Sequence, residues 1–128
     1  MAHADWNIDR KPFDLRERLF LFACLIVRVV QYLHTRGPIA VALSYQLLRS
    51  GTSAGSNYEE ADSGSSPRDT LAKRKIVLRE LKETGFRLRV LRQTGYLGTE
   101  HDPVMQEIAE LSKIVAKIIR NSEHGENS

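Results

Sequence analysis

Proline has no backbone N–H to give to a helix, so it is tolerated at a helix start and costly inside one. In this chain Pro38, Pro67 and Pro103 each follow a residue suited to precede a helix: Gly37, Ser66 and Asp102. With Asp14-x-x-Glu17, which has the form of a capping box, they divide the chain into four segments. Each segment repeats apolar residues every three or four positions, the spacing of a buried helical face. No strand pattern or internal repeat competes with this. The chain is therefore expected to be all-α, its four helices of similar length packed as an antiparallel up-down-up-down bundle.

The helices differ in how much apolar surface they carry. The first, from Asp14 to about Thr35, places Leu15, Leu19, Phe22, Ile26, Val29, Val30 and Leu33 on one face, yet Leu21, Cys24, Leu25 and Tyr32 lie on the other. A helix apolar almost all round has to be covered from two directions. Cys24, the only cysteine, is expected as a small core residue, and no disulfide can form within the chain. The second helix, Pro38 to about Asp62, carries the stripe Ala40, Leu43, Leu47, Ser50, Ala54, Asn57 and Ala61, with Leu48, Gly51, Gly55 and Tyr58 beside it. The third, Pro67 to about Thr94 with Gly95 just beyond, buries Val77, Leu81, Thr84, Leu88 and Leu91, and holds a second apolar group of Ala72, Ile76, Phe86 and Val90. The fourth, Pro103 to near Asn121, is one-sided. Val104, Ile108, Leu111, Val115 and Ile118 face inward and Glu107, Glu110, Lys113 and Lys117 are left for water. Residues 1–12, with Trp6, form an arm, 13–121 the bundle, and 122–128 a tail expected to be disordered.

One short stretch suggests catalysis. Gly51, Ser53 and Gly55 have the G-x-S-x-G spacing of a serine-hydrolase nucleophile elbow, which requires a strand before the serine and a helix after it. Helical periodicity precedes Ser53, no His/Asp pair is placed to complete a triad, and a chain of 128 residues is short for a hydrolase sheet. Gly51, Ser53 and Gly55 are instead expected to let another helix come close. The four histidines stand apart and no Glu-x-x-His occurs, so no metal site and no cofactor is expected. The chain reads as non-enzymatic. Its longest apolar run, Leu19–Val27, falls short of the about 20 residues that span a bilayer, and no secretory signal opens the sequence. A cytoplasmic protein without membrane contact is expected.

The net charge of +3 is unevenly spread. Between Lys73 and Arg92 lie eight cations and two acids, so the basic character belongs to the third helix. There Lys75, Arg79, Lys82 and Arg89 share one side with Phe86 among them. Such a stripe can meet nucleic-acid phosphates and stack on a base, or it can be a solvated face in which Arg79–Glu83 and Glu83–Arg87 pair one turn apart. Asn57, Glu59, Glu60, Glu80 and Glu83 lie next to core stripes and are expected in a buried polar network or at a subunit interface.

The pattern Gln46-Leu47, Arg49-Ser50, Ser53, Asn57, Glu60-Ala61, Ser66, Asp69, Lys73, Arg79-Glu80 and Glu83-Thr84 resembles the four-helix-bundle proteins related to the 23S ribosomal RNA intervening-sequence protein. The similarity runs from residue 13 to 118 and is most specific from Gln46 to Leu97; the family's frequent aromatic pair is here Phe86-Arg87. The resemblance implies a bacterial protein with no established enzymatic activity. A more distant relative by fold, the accessory protein of diversity-generating retroelements, is a pentameric barrel that binds nucleic acid and a reverse transcriptase. The doubly apolar first and third helices point to a homo-oligomer, for which the resemblance implies a ring of five, and the stripe of Lys75, Arg79, Lys82, Phe86 and Arg89 is expected to bind RNA or DNA. The alternative is a protein–protein scaffold without a nucleic-acid role.

Overall fold

The computed structural model describes residues 14–63 and 66–127; the expected arm with Trp6 lies outside them. Four α-helices, α1 (Leu15–Leu33), α2 (Pro38–Asp62), α3 (Pro67–Gln93) and α4 (Asp102–Asn127), account for nearly all of these residues, and there is no strand among them. The starts are where the local chemistry puts them. Asp14 caps α1 by accepting from Arg16 N, and Ser66 caps α3 by accepting from Asp69 N, with Pro67 at the first position. After α3 the chain turns through Gly95 at φ 86°, in the left-handed region that glycine enters without steric cost. A turn of 3-10 helix at Thr99–His101, not foreseen, leads into α4.

The core holds most of the expected stripes: Leu19, Phe22, Ile26 and Leu33 of α1, Ala40, Leu47 and Ala54 of α2, Val77, Leu81, Leu88 and Leu91 of α3, and Val104, Ile108, Leu111 and Val115 of α4. The expected Leu43 and Ile118 are half-buried, and their neighbours Ser44 and Ile119 are buried in their place. Cross-helix contacts run in opposite order along successive helices. Gly51 and Gly55 approach Ile26 and Leu19; Arg49 and Ser53 meet Glu83 and Glu80; Arg92 and Lys75 meet Asp102 and Glu123.

Four expectations need correcting. Cys24 is exposed, because it is about 200° around the helix from both Phe22 and Ile26, which face the core. α4 runs past Asn121 to Asn127. Nothing in 122–127 breaks a helix as proline would; Ser122 Oγ donates to Ile118 O and Glu123 pairs with Lys75, tying this last stretch down. Glu107, expected in water, is 0% exposed. Its carboxylate takes two hydrogen bonds from Arg18, from Nε at 2.8 Å and Nη2 at 2.9 Å, and Arg18 also reaches Glu110 at 2.8 Å. Those bonds hold the Arg18 guanidinium further above its ordinary pKa than burial lowers it. Last, Gly51, Ser53 and Gly55 do not act as one set. The glycines face α1, while Ser53 faces α3.

Of the second apolar side of α1, Leu25 and Tyr32 pack partly buried against the core, and the described residues leave a strip beside them open. Phe20 is 51% exposed, and Cys24 and Val27 are exposed beside it.

Candidate nucleic-acid interface

Lys75, Arg79, Lys82, Phe86 and Arg89 each lie two positions before a residue of the α3 core stripe, Val77, Leu81, Thr84, Leu88 and Leu91. Two positions along a helix is a rotation of about 200°, so the basic stripe lies on the back of the helix from the core. All five residues are exposed, Phe86 by 59%. Lys75 is engaged by Glu123 at 3.3 Å. Arg79, Lys82 and Arg89 have no ion-pair partner among the described residues. The anticipated pair of Arg79 with Glu83 does not form; Glu83 instead turns to Arg87, with Oε1 at 3.1 Å, and to Arg49, with Oε2 at 2.6 Å. The Arg87–Glu83 pair does form.

Arg49 is the residue that the sequence reading missed as an organiser. From α2 it reaches across to Glu80 at 3.0 Å and Glu83 at 2.6 Å, and its own Nε is 3.2 Å from Gln46 Oε1. Glu80 is buried, and its Oε2 is also 2.7 Å from Ser53 Oγ, which lies 2.7 Å from Arg49 O; the single hydroxyl proton serves one of these two acceptors. One turn on, Thr84 Oγ1 and Ser50 Oγ are 2.8 Å apart in the dry interior. Hydrogen bonds first from Arg49 and then from Arg87 hold the Glu83 carboxyl below the ordinary glutamate range despite partial desolvation. Asn57 is half-buried and gives its amide N–H to Ser53 O at 2.8 Å, staying within its own helix. Glu60 and its neighbour Glu59 are exposed, and the Glu60 carboxylate comes within 4.0 Å of Lys73. The network therefore gathers Glu80 and Glu83 and leaves Asn57 and Glu60 at its margin. Arg49 was legible: it stands one turn before Ser53 in the very stretch that carries the family pattern.

Ser53 sits mid-helix, with its hydroxyl between Arg49 O of its own helix and Glu80 of α3, so the G-x-S-x-G spacing has no elbow geometry here. Among the described residues no three His, Cys, Asp or Glu side chains gather as metal ligands would. His101 packs its ring 4.8 Å from that of Tyr32, its Nδ1 accepts from Gly98 N, and burial lowers its pKa. No helix among the described residues is long and apolar enough to cross a membrane.

Four helices with a polar clamp across the second and third, and a cationic ridge on the back of the third, define a class of small all-α protein in which chemistry-bearing residues lie between or outside the helices. Residues 13–117 match the family model described as 23S rRNA-intervening sequence protein, and the chain belongs to that family. It is also similar to a crystal structure of a protein of unknown function from the S23 ribosomal protein family of Bacteroides thetaiotaomicron VPI-5482, at 31% identity and a TM-score of 0.76. That likeness covers 83% of this chain and 98% of the other. No curated protein matches. Seven of the residues that carry the family resemblance, Gln46, Arg49, Ser50, Ser53, Glu80, Glu83 and Thr84, fall on the α2–α3 seam just described.

Proposed function

We propose that this chain is a non-enzymatic, self-associating helical bundle that binds nucleic acid through the α3 ridge. The observation that carries the reading is the placement of Arg79, Lys82 and Arg89: exposed, on one side, facing away from the core, and without an ion-pair partner among the described residues. An incoming polyphosphate would displace counterions rather than internal salt bridges, so its binding is not opposed by lost ion pairs. The family's link to a ribosomal RNA intervening sequence favours RNA.

The assembly belongs to the same proposal. An antiparallel up-down-up-down bundle fits the opposed order of the cross-helix contacts. A second copy on the apolar outer side of α1, with Phe20, Cys24 and Val27, is the simplest covering for it. Closure as a homopentamer is the form the family resemblance suggests. A ring would repeat the ridge and raise avidity without any new kind of contact. The competing reading is a scaffold whose ridge meets an acidic protein.

Binding of the purified, nuclease-treated protein to RNA and DNA across a salt series tests this. Log K is expected to fall linearly with log salt, by about 0.7–0.9 per phosphate neutralised, and to drop when Lys82 and Arg89 are replaced by Glu. No binding at low salt would leave the ridge to a protein partner, recovered equally with and without nuclease.

A further inference from the structure

The ridge is not only cationic. Lys82, Phe86 and Arg89 follow one another at steps of four and three, so neighbouring Cβ atoms are roughly 5–6 Å apart on one face. Phe86 is 59% exposed. Phe20, the other exposed phenylalanine among the described residues, opens on a groove rimmed by Glu59 and Glu60, which repels phosphate. The charges around Phe86 are of the opposite sign. Its ring also forms one edge of a shallow cleft of about 490 Å³, within the roughly 300–1,000 Å³ of small-ligand sites. Val90 and Met105 give this cleft apolar walls, Gln93 and Thr94 add polar groups, and Arg89 stands at its rim. Arg92, the second cation there, is held by Asp102 at 3.0 Å, which leaves Arg89 as the one without a partner among the described residues.

We infer that the ridge takes single-stranded nucleic acid, with one unstacked base laid on the Phe86 ring and flanking phosphates on Lys82 and Arg89; this rests on the nucleic-acid reading above. A single strand alternates phosphate and base along its length, matching the order cation, aromatic, cation. Its unpaired bases have faces free to stack on an aromatic ring, and such stacking tolerates any base. A duplex keeps those faces inside its own stack, so it offers phosphates to Lys82 and Arg89 but nothing to Phe86. The cleft beyond the ring receives the edge of the base, where Gln93 can donate and accept hydrogen bonds. Preference for single strands thus comes from Phe86, and gross affinity from the cations.

The test compares a mixed-sequence RNA strand with the blunt duplex formed by annealing its complement, using the full chain and its Phe86→Ala, Phe86→Trp and Lys82→Glu variants. Wild type is expected to prefer the single strand. Phe86→Ala should weaken single-strand binding roughly 5- to 150-fold, the effect of losing one base stack, and leave duplex binding unchanged. Phe86→Trp should keep the preference, and Lys82→Glu should weaken both ligands. Equal binding of strand and duplex, with Phe86→Ala without effect, overturns this inference and leaves the broader nucleic-acid reading standing. Binding to neither ligand overturns both. The mass of each variant by sedimentation separates a third case: a change of assembly state in Phe86→Ala would make the ring a subunit contact and overturn the stacking role.

Discussion

Two glycines four residues apart have different reasons to be glycine. A Cβ on Gly51 would sit 2.8 Å and 2.9 Å from the two γ carbons of Ile26, a fully buried β-branched side chain with little freedom to yield. A Cβ on Gly55 would be 3.5 Å from Leu19 O, an ordinary contact. Replacing a helical glycine by alanine gains about 1 kcal/mol, and overpacking a core costs roughly 1–3 kcal/mol. Gly51→Ala is therefore expected to lose up to about 2 kcal/mol and Gly55→Ala to gain several tenths, measured by urea denaturation at constant m. The spacing predicted close helix approach; only the neighbour across the gap tells which glycine needs it. The same limit applies at Cys24 and Glu107, where the side of the helix decides burial and a single apolar or charged letter does not.

Between elements, two polar clamps join the helices. Arg49 links α2 to α3 through carboxylates on successive turns, and Arg18 links α1 to α4 through Glu107, a residue 89 positions away. The clamps differ in solvent. Arg49's side chain is half exposed, so its pairs are screened and contribute modestly. Glu107 has no exposure, and Arg18 gives its carboxylate two hydrogen bonds inside the bundle. Arg18→Met alone is expected to cost about 3–5 kcal/mol by removing the cation that faces the buried Glu107, whereas Arg18→Met with Glu107→Leu should restore most of the loss. Equal destabilisation in single and double variants would show that the pair acts by shape and not by charge. The periodicity carries the burial of both residues but not their pairing: Arg18 falls within the α1 stripe beside Leu15 and Leu19, and Glu107 between Val104 and Leu111 on the buried side of α4.

For the whole molecule, the unresolved balance lies on the outside of α1. Phe20, Cys24 and Val27 make an apolar strip that a solitary bundle would leave in water, each large side chain forgoing about 1.5–3 kcal/mol of burial. If a second copy covers it, Phe20→Glu should reduce the mass measured by sedimentation at micromolar concentration to that of one chain while far-ultraviolet circular dichroism stays helical. Retention of the wild-type mass would place the subunit contact elsewhere, and a wild-type protein already of single-chain mass would sink the assembly proposal. Helix number, starts and core faces were legible in the sequence because caps, prolines and periodicity act within one or two turns: Ser66-Pro67 and the Val77–Leu91 stripe specify themselves locally. Of the candidate site, the ridge was legible for the same reason, since a face opposite a core stripe is an outer face whatever the helix packs on. What only the tertiary structure decided was the pairing of polar groups. Glu83 turns from Arg79 to Arg49, Ser53 to Glu80 and Glu107 to Arg18, because a carboxylate takes the donor that packing brings within 3 Å, and that donor comes from another helix tens of residues away.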